Sequence, residues 1–500
     1  MKLLLEIAIL APPALGFLYL PRHHRQPAVD SRDFLTKFGH ITQKPLGFDA
    51  RNEQTFLIAG QPVPKEDPYP ADDAAGIRIH PVDERVCKSG SRQLTGHVNV
   101  TQHKSLFWWF HESRRDPKND PLIIWLNGGP GASSLFGGMT ELGPCNIDED
   151  GKNTTYNKYS WSNFANILFV DQPAGVGFST ATNDTYFPYT ADVAAADFST
   201  FLRRLFKHVL PDYASHKIHL MGESFAGVYY PSILAKILDQ QQRLAELGLP
   251  NPFPKIESMV LADALVEWAS SKLGTYRTVC ISRPDETGVD ECRLSKDGPT
   301  CMAAAETCIK MEEAFWDLTR KGKRSPYDMR SDCPDRELCL SSFSDRMNTY
   351  FNKPATLSLL GLPETTKYMD TNYEINSRWS DWAFDTVIPT LDKVSRILEE
   401  SSVRVLVYNG NSDFLINTAG VLEWMHILPW SGNGEFRSRD LQPWHYAGEN
   451  SKSIKGGMRK STKNGKLAFA SIDRAGHMAP FDQPAALEAL VKAWVEDKEL

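Results

Sequence analysis

KIHLMGESFAGVYYP, residues 217–231, decides how the chain is read. An apolar run closes on Gly-Glu-Ser, and a run compatible with a helix opens directly after it. A serine on a sharp turn between strand and helix presents its hydroxyl at the rim of a sheet. The two backbones meet that closely only when small residues stand two places before and two places after the serine. Gly222 and Ala226 hold those places around Ser224. Ala226 replaces the second glycine of the strict G-x-S-x-G pattern, so this stretch alone is also compatible with a serine in an ordinary loop.

A serine hydroxyl is a poor nucleophile near neutrality and needs a base, a group that orients the base, and donors for the oxyanion. Downstream of Ser224, the strand-like VRVLVY (403–408) runs into NGNSDF and places Asp413 just past a strand end. Further on, LAFASIDRAGHMAPFDQP places His477 between the last strand-like run and the last helical one. Taken singly, an Asp after a Gly-Asn turn is a turn residue and a loop His faces solvent. Their order Ser, Asp, His, each after a strand, points to a catalytic set. Upstream, WLNGGPGASS (125–134) follows another strand and offers amides from Gly128, Gly129 and Gly131 that can turn toward an oxyanion. It lacks the lysine of a phosphate loop.

WLNGGPG, ELGPC, DQPAGVGFS, GESFAG, YNGNSDF and GHMAPFD, in this order over about residues 80–495, resemble the serine carboxypeptidases, and secreted fungal members most. That family has an α/β-hydrolase fold and removes single residues from peptide carboxyl termini. The resemblance implies Ser224 as nucleophile, His477 as base then acid, and Asp413 as its orienter. It also implies an oxyanion hole from the N–H groups of Gly129 and Phe225. The substrate carboxylate would meet Asn127, Gly128 and Glu223, with Glu141 in the same network and Trp125 lining the pocket. A carboxylate facing a carboxylate repels unless one is protonated, so an acidic optimum on peptides is expected. An acyltransferase or esterase of the same fold is the alternative, and an inactive binding relative is a third. Glu223 with Ala226 argues for the peptidase.

The chain departs from the pattern in places. Many relatives read GGPGCSS, whereas this chain has Ala132, and no Cys stands between Cys339 and Asp413. Cys87 and Cys145 are the two cysteines outside the 265–385 stretch, and the family suggests that they pair. The family also suggests Cys333 with Cys339 and Cys280 with Cys292. Where relatives often show Gly-Asn-Gly, this chain reads Ala262-Asp263-Ala264, and a different loop geometry is expected there. Apolar residues Phe225, Leu415, Ile416 and Met478 lean toward hydrophobic side chains at the scissile bond.

Composition bounds the rest. Five hundred residues with 41% hydrophobic content can bury a large core, and a net charge of −7 argues against a nucleic-acid partner. Residues 1–20 have the outline of a secretory signal, with Glu6 unusual within it, and 21–78 read as a Pro-rich flexible extension or pro-segment. Strand patterns, 122–126 and 167–170 among them, alternate with helix patterns, 192–210 and 228–238 among them, over 79–264 and return over 386–500, which calls for a mostly parallel sheet covered on both faces. Between them, 265–385 holds six of the eight cysteines and reads as a disulfide-stapled cap. The spacings contain no C-x-x-C and no His pair, so no metal is expected, and no cofactor. The basic stretch KGGMRKSTKNGK (455–466) reads as a solvated hairpin or loop. Sequons at Asn99, Asn153 and Asn183, with the cysteines, favour a secreted protein, or a vacuolar one, without a membrane span. The resemblance implies peptide carboxyl termini as partners, and composition sets no oligomeric state.

Overall fold

The computed structural model describes residues 74–188, 190–276, 298–320, 324–333, 339–381, 389–448 and 452–498. The expected signal, nearly all of the expected extension, Cys280 and Cys292 lie outside them. Among the described residues fourteen strands run in chain order: β1 (Ile77–Pro81), β2 (Gln93–Asn99), β3 (Lys104–His111), β4 (Leu122–Leu126), β5 (Cys145–Ile147), β6 (Thr154–Tyr156), β7 (Asn166–Val170), β8 (Thr180–Ala181), β9 (Ile218–Glu223), β10 (Ile256–Ala262), β11 (Arg404–Gly410), β12 (Gln442–Ala447), β13 (Ser453–Ser461) and β14 (Leu467–Ile472).

Twelve of them form one sheet in the order β1-β2-β3-β7-β4-β9-β10-β11-β14-β13-β12, with β8 beside β3. The six central strands, from β7 to β14, are parallel, and antiparallel strands close both sides. Parallel strands are covered on both faces, which is why β4 (LIIWL) and β7 (NILFV) are apolar without alternation and buried throughout. Successive side chains still point opposite ways. Leu122, Ile124 and Leu126 join one core with Phe198, Ile233 and Val407, whereas Ile123 and Trp125 join the other with Phe169, Tyr408 and Trp494.

Helices Ala191–Arg204, Ala226–Glu246 and Leu391–Glu400 supply the first face, and Ser341–Phe351 and Pro484–Val495 the second. The helix after Ser224 runs to Glu246, past the expected 228–238, although Pro231 stands inside it. A proline cannot bond the carbonyl four residues back. Here that carbonyl, Gly227 O, accepts from Thr390 Oγ1 at 2.9 Å, so the helix continues without an orphaned acceptor. The helix expected over 192–210 ends at Arg204 and widens into a π-turn over Leu205–Val209, ahead of Pro211.

In the 265–385 stretch the described residues are largely helical, and they fill core space as well as covering the sheet edge. Ile375 and Trp379 enter the first core, and Met347, Tyr350 and Phe351 the second. Cys87–Cys145 and Cys333–Cys339 are bridged. Cys308 is buried and carries no bridge. The basic stretch forms β13 and its turn into β14. No helix among the described residues is long and apolar enough to cross a membrane.

One buried ion pair escaped the sequence reading: Lys104 Nζ donates to Asp197 Oδ1 at 2.6 Å with both side chains more than nine-tenths buried. Removing one partner leaves an uncompensated charge. Asp197→Ala is expected to cost about 3–5 kcal/mol in denaturant unfolding, whereas replacing Lys104 and Asp197 together by Met and Leu costs much less.

Candidate active site

Register brings the candidate residues together. Leu126 lies opposite Gly222, Glu223 opposite Ala262, Ala262 opposite Tyr408, and Gly410 opposite Ile472. The carboxyl ends of β4, β9, β10, β11 and β14 therefore finish side by side, and the loops leaving them share one edge.

Ser224 leaves β9 with a φ of 61°, in the left-handed region that a residue with a side chain occupies only when its surroundings hold it there. Its N–H donates to Ala262 O, and its carbonyl accepts from Gly227 and Leu265, at 2.9–3.0 Å. A Cβ on Gly222 would stand 2.6 Å from Ala226 Cβ and 2.6 Å from Leu126 O, so the small pair around Ser224 is a steric requirement. The glycine loop lies closer still. A Cβ on Gly128 would stand 2.3 Å from the amide nitrogen of Phe225. Among the described residues, neither the N–H of Phe225 nor that of Gly129 donates to a hydrogen bond. The loop is anchored from outside its own sequence: Gly131 N donates to Tyr229 Oη, Asn376 Nδ2 to Pro130 O, and Asn372 N to Gly131 O. Asp171 of the DQPAGVGFS motif accepts from Ser133 Oγ and Ser134 N, and burial raises its carboxyl to about 6.

His477 is buried and donates from Nδ1 to Asp413 Oδ2 at 2.6 Å. Asp413 Oδ1 accepts from Ile416 N at 3.1 Å. Burial raises the Asp413 carboxyl, and His477 opposes that rise. Both loops are pinned by residues 324–333. Pro326 O accepts from Phe414 N and Leu415 N, and Tyr327 O accepts from His477 N at 2.7 Å while its ring lies 5.1 Å from the imidazole. No sequence signal marked Pro326 or Tyr327, because the contact joins segments far apart in the chain.

Asn127 Oδ1 accepts from Trp125 Nε1 and Gly137 N, which turns its amide nitrogen toward Glu223 Oε1 at 3.4 Å. Trp125, expected along the pocket wall, is wholly buried, and its indole N–H is bonded to Asn127. Both oxygens of Glu141 and the second oxygen of Glu223 are buried with no donor among the described residues. That is how two facing carboxyls look before a shared proton is counted between them. Burial is the main cause that lifts Glu223 to about 8 and Glu141 well above the usual carboxylate range, and the charge of Glu223 raises Glu141 further.

Of the four apolar residues expected at the scissile bond, Phe225 and Ile416 belong to the core, and Leu415 and Met478 keep partial exposure. Asn153 and Asn183 are exposed, and Asn99 is half-buried. Among the described residues, one set of three could meet a metal: Asp263, Asp413 and His477. The 2.6 Å contact between His477 and Asp413 is a hydrogen bond and leaves no space for an ion between those two atoms. Asp263 itself was read from the sequence only as a departure in a loop.

A model of the family described as serine carboxypeptidase matches residues 84–497. Carboxypeptidase Y homolog A of Phaeosphaeria nodorum is 31% identical over 518 residues, covering 98% of this chain and 88% of that protein. Carboxypeptidase Y of Komagataella phaffii is 33% identical over 421 residues, covering 81% and 76%. Among solved structures, Kex1(delta)p, a prohormone-processing carboxypeptidase from Saccharomyces cerevisiae, aligns with a TM-score of 0.67 at 22% identity over 84% of this chain and 96% of that one, a likeness of fold.

Gly128→Ala places a methyl group over the Phe225 amide. Loss of one oxyanion donor costs about 10²–10³ in rate. Fluorophosphonate labelling of Ser224 in this variant is expected to fall by that factor, with far-UV circular dichroism as the check on folding.

Proposed function

Because the chain belongs to the serine carboxypeptidase family, a family of peptide-bond hydrolases, we propose that Ser224, His477 and Asp413 carry its chemistry. The observation that supports this most is the 2.6 Å bond between buried Asp413 and His477 on the same sheet edge as a serine held at positive φ. His477 Nε2 takes the proton of Ser224 Oγ as the oxygen attacks the last peptide carbonyl, and Asp413 holds the ring and balances the imidazolium. The oxyanion accepts from the N–H groups of Gly129 and Phe225. His477 then gives its proton to the leaving amine, the terminal amino acid departs, and an ester remains on Ser224. Water attacks that ester, its proton passes to His477 and then back to Ser224 Oγ, and the shortened peptide is released as an acid.

Specificity for a chain end needs a site that reads a carboxylate. Asn127, Gly128 and Glu223 fill that role, with Glu141 sharing a proton with Glu223. In its acid form Glu223 donates to the substrate carboxylate. In its charged form it repels that group. The raised Glu223 carboxyl supports carboxylate binding that holds through acidic and neutral pH and is lost as pH rises through the titration of the pair. Leu415 and Met478, apolar and part-exposed, support a preference for apolar side chains at the bond cut. The exposed sequons at Asn153 and Asn183 and the two bridges support glycosylation and passage through an oxidising secretory pathway, to the outside or to a vacuole.

The first test compares a blocked dipeptide with its carboxyl-amidated twin at about pH 4 to 5, for wild type and Ser224→Ala. A free amino acid is expected from the acid only, and none from the variant. Equal cleavage of the amide would remove Asn127 and Glu223 from carboxylate recognition. Glu223→Gln cannot ionise, so KM for peptides should lose its rise above about pH 8 while kcat keeps its pH profile.

A further inference from the structure

We propose that Asp263 is a positioning residue for Asp413 and His477: a neutral carboxylic acid, whose retained proton leaves the imidazole facing one negative charge instead of two. The inference rests on the reading of Asp413 and His477 given above.

Asp263 follows β10 with a φ of 43°, and its N–H donates to Tyr408 O at 2.9 Å. Its Oδ1 accepts from Asn409 Nδ2 at 2.9 Å and from Gly410 N at 2.7 Å. Gly410 O in turn accepts from Asp413 N at 3.2 Å, so one carboxyl oxygen shapes the start of the loop that carries Asp413. Its Oδ2 is buried with no partner among the described residues. An oxygen of Asp263, an oxygen of Asp413 and a ring nitrogen of His477 lie within 4.8 Å of one another.

Two buried carboxylates at that separation do not both ionise. The hydrogen bonds decide where the proton sits. Both oxygens of Asp413 accept N–H donors, from Ile416 and His477, and those bonds favour its charged form. Asp263 has an oxygen that no donor satisfies, which is where a proton belongs. The other titratable groups facing Asp263 are Glu223, Glu141 and Tyr408, and none is a cation. Burial and then the Asp413 charge push the Asp263 carboxyl well above the usual range. Were Asp263 charged, it would hold His477 as imidazolium and delay the appearance of the free base to higher pH.

Asp263→Asn keeps an acceptor for Asn409 and Gly410 and removes the proton. An acid whose folded pKa lies above its unfolded value of about 3.9 costs stability as pH rises between the two, by tenfold in the folding equilibrium per pH unit. The asparagine has no such loss. The melting temperature of Asp263→Asn relative to wild type is therefore expected to climb from about pH 4 to about pH 7, by several degrees. A gap that stays flat overturns the proposal. The acid limb of kcat/KM on an ester should be unmoved in Asp263→Asn, and a downward shift of a unit or more would mean that Asp263 was charged. Asp263→Ala, which strands both N–H donors, should lose kcat about 10-fold or more with KM unchanged, and activity equal to that of Asp263→Asn would overturn the positioning role. The melting readout involves no turnover, so it stands apart from a failure of the triad assignment, which Ser224→Ala and His477→Ala report.

Discussion

The approach of residue 128 to the turn at Ser224 is the constraint on which the site depends. A single carbon added there would sit 2.3 Å from the Phe225 nitrogen and 2.7 Å from the carbonyl of Glu223. Two loops from neighbouring strands thus share a space with no room for a side chain. That contact is made by backbone, so it is reproduced wherever β4 and β9 keep their register, with Leu126 opposite Gly222. The strain of the positive φ at Ser224 is held by three backbone hydrogen bonds, to Ala262, Gly227 and Leu265. The cost of the conformation is met by the sheet and by the first turn of the following helix, so the serine is presented before any substrate arrives.

The carboxyls along this rim are buried, and burial governs their charges. Glu141, Glu223, Asp263 and Asp413 are all buried, and for each of them burial is the first cause that raises the carboxyl. Four carboxyls with one histidine among them cannot all be anions. The hydrogen bonds sort them. Asp413 has donors on both oxygens and suits the charged form, whereas Glu141, Glu223 and Asp263 each keep an oxygen with no donor among the described residues. Protons retained on such groups turn them into donors, which is what a carboxylate-reading pocket and a neutral neighbour of the triad both require.

Local features of this arrangement were legible in the sequence because they are steric. Gly222, Gly128 and Ala226 are small for reasons that a strand-to-helix turn imposes on any chain, and the strands at 122–126 and 167–170 are apolar because both faces are covered. Asp413 and His477 could be read from their place after strands. Asp263 could not be assigned, because its environment depends on β10 and β11 lying side by side, a pairing across more than a hundred residues. The contact that Trp125 makes was not legible either: strand alternation turns its ring into the core, where its indole N–H fixes Asn127. The helix 226–246 outran its expected end because the fault at Pro231 is repaired by Thr390, a residue no local window contains.

The stretch between 265 and 385 read as a cap, a cover laid on a finished sheet. The described part of it is tied into the site. Met329 N donates to Ser412 O, Pro326 O takes two amides next to Asp413, and Tyr327 O takes the amide of His477. One short segment therefore fixes the relative position of two loops that leave β11 and β14, and the bridge Cys333–Cys339 follows directly after it. Asn372 and Asn376, from the far end of the same stretch, hold the glycine loop on β4. The sheet sets where the strands end, and the inserted residues set how the loops beyond those ends are spaced. The spacing of Asp413, His477 and the glycine loop on β4 is thus a joint property of scaffold and insertion. Exchanging the insertion for another would therefore be expected to shift the loops that carry Asp413 and His477 relative to each other.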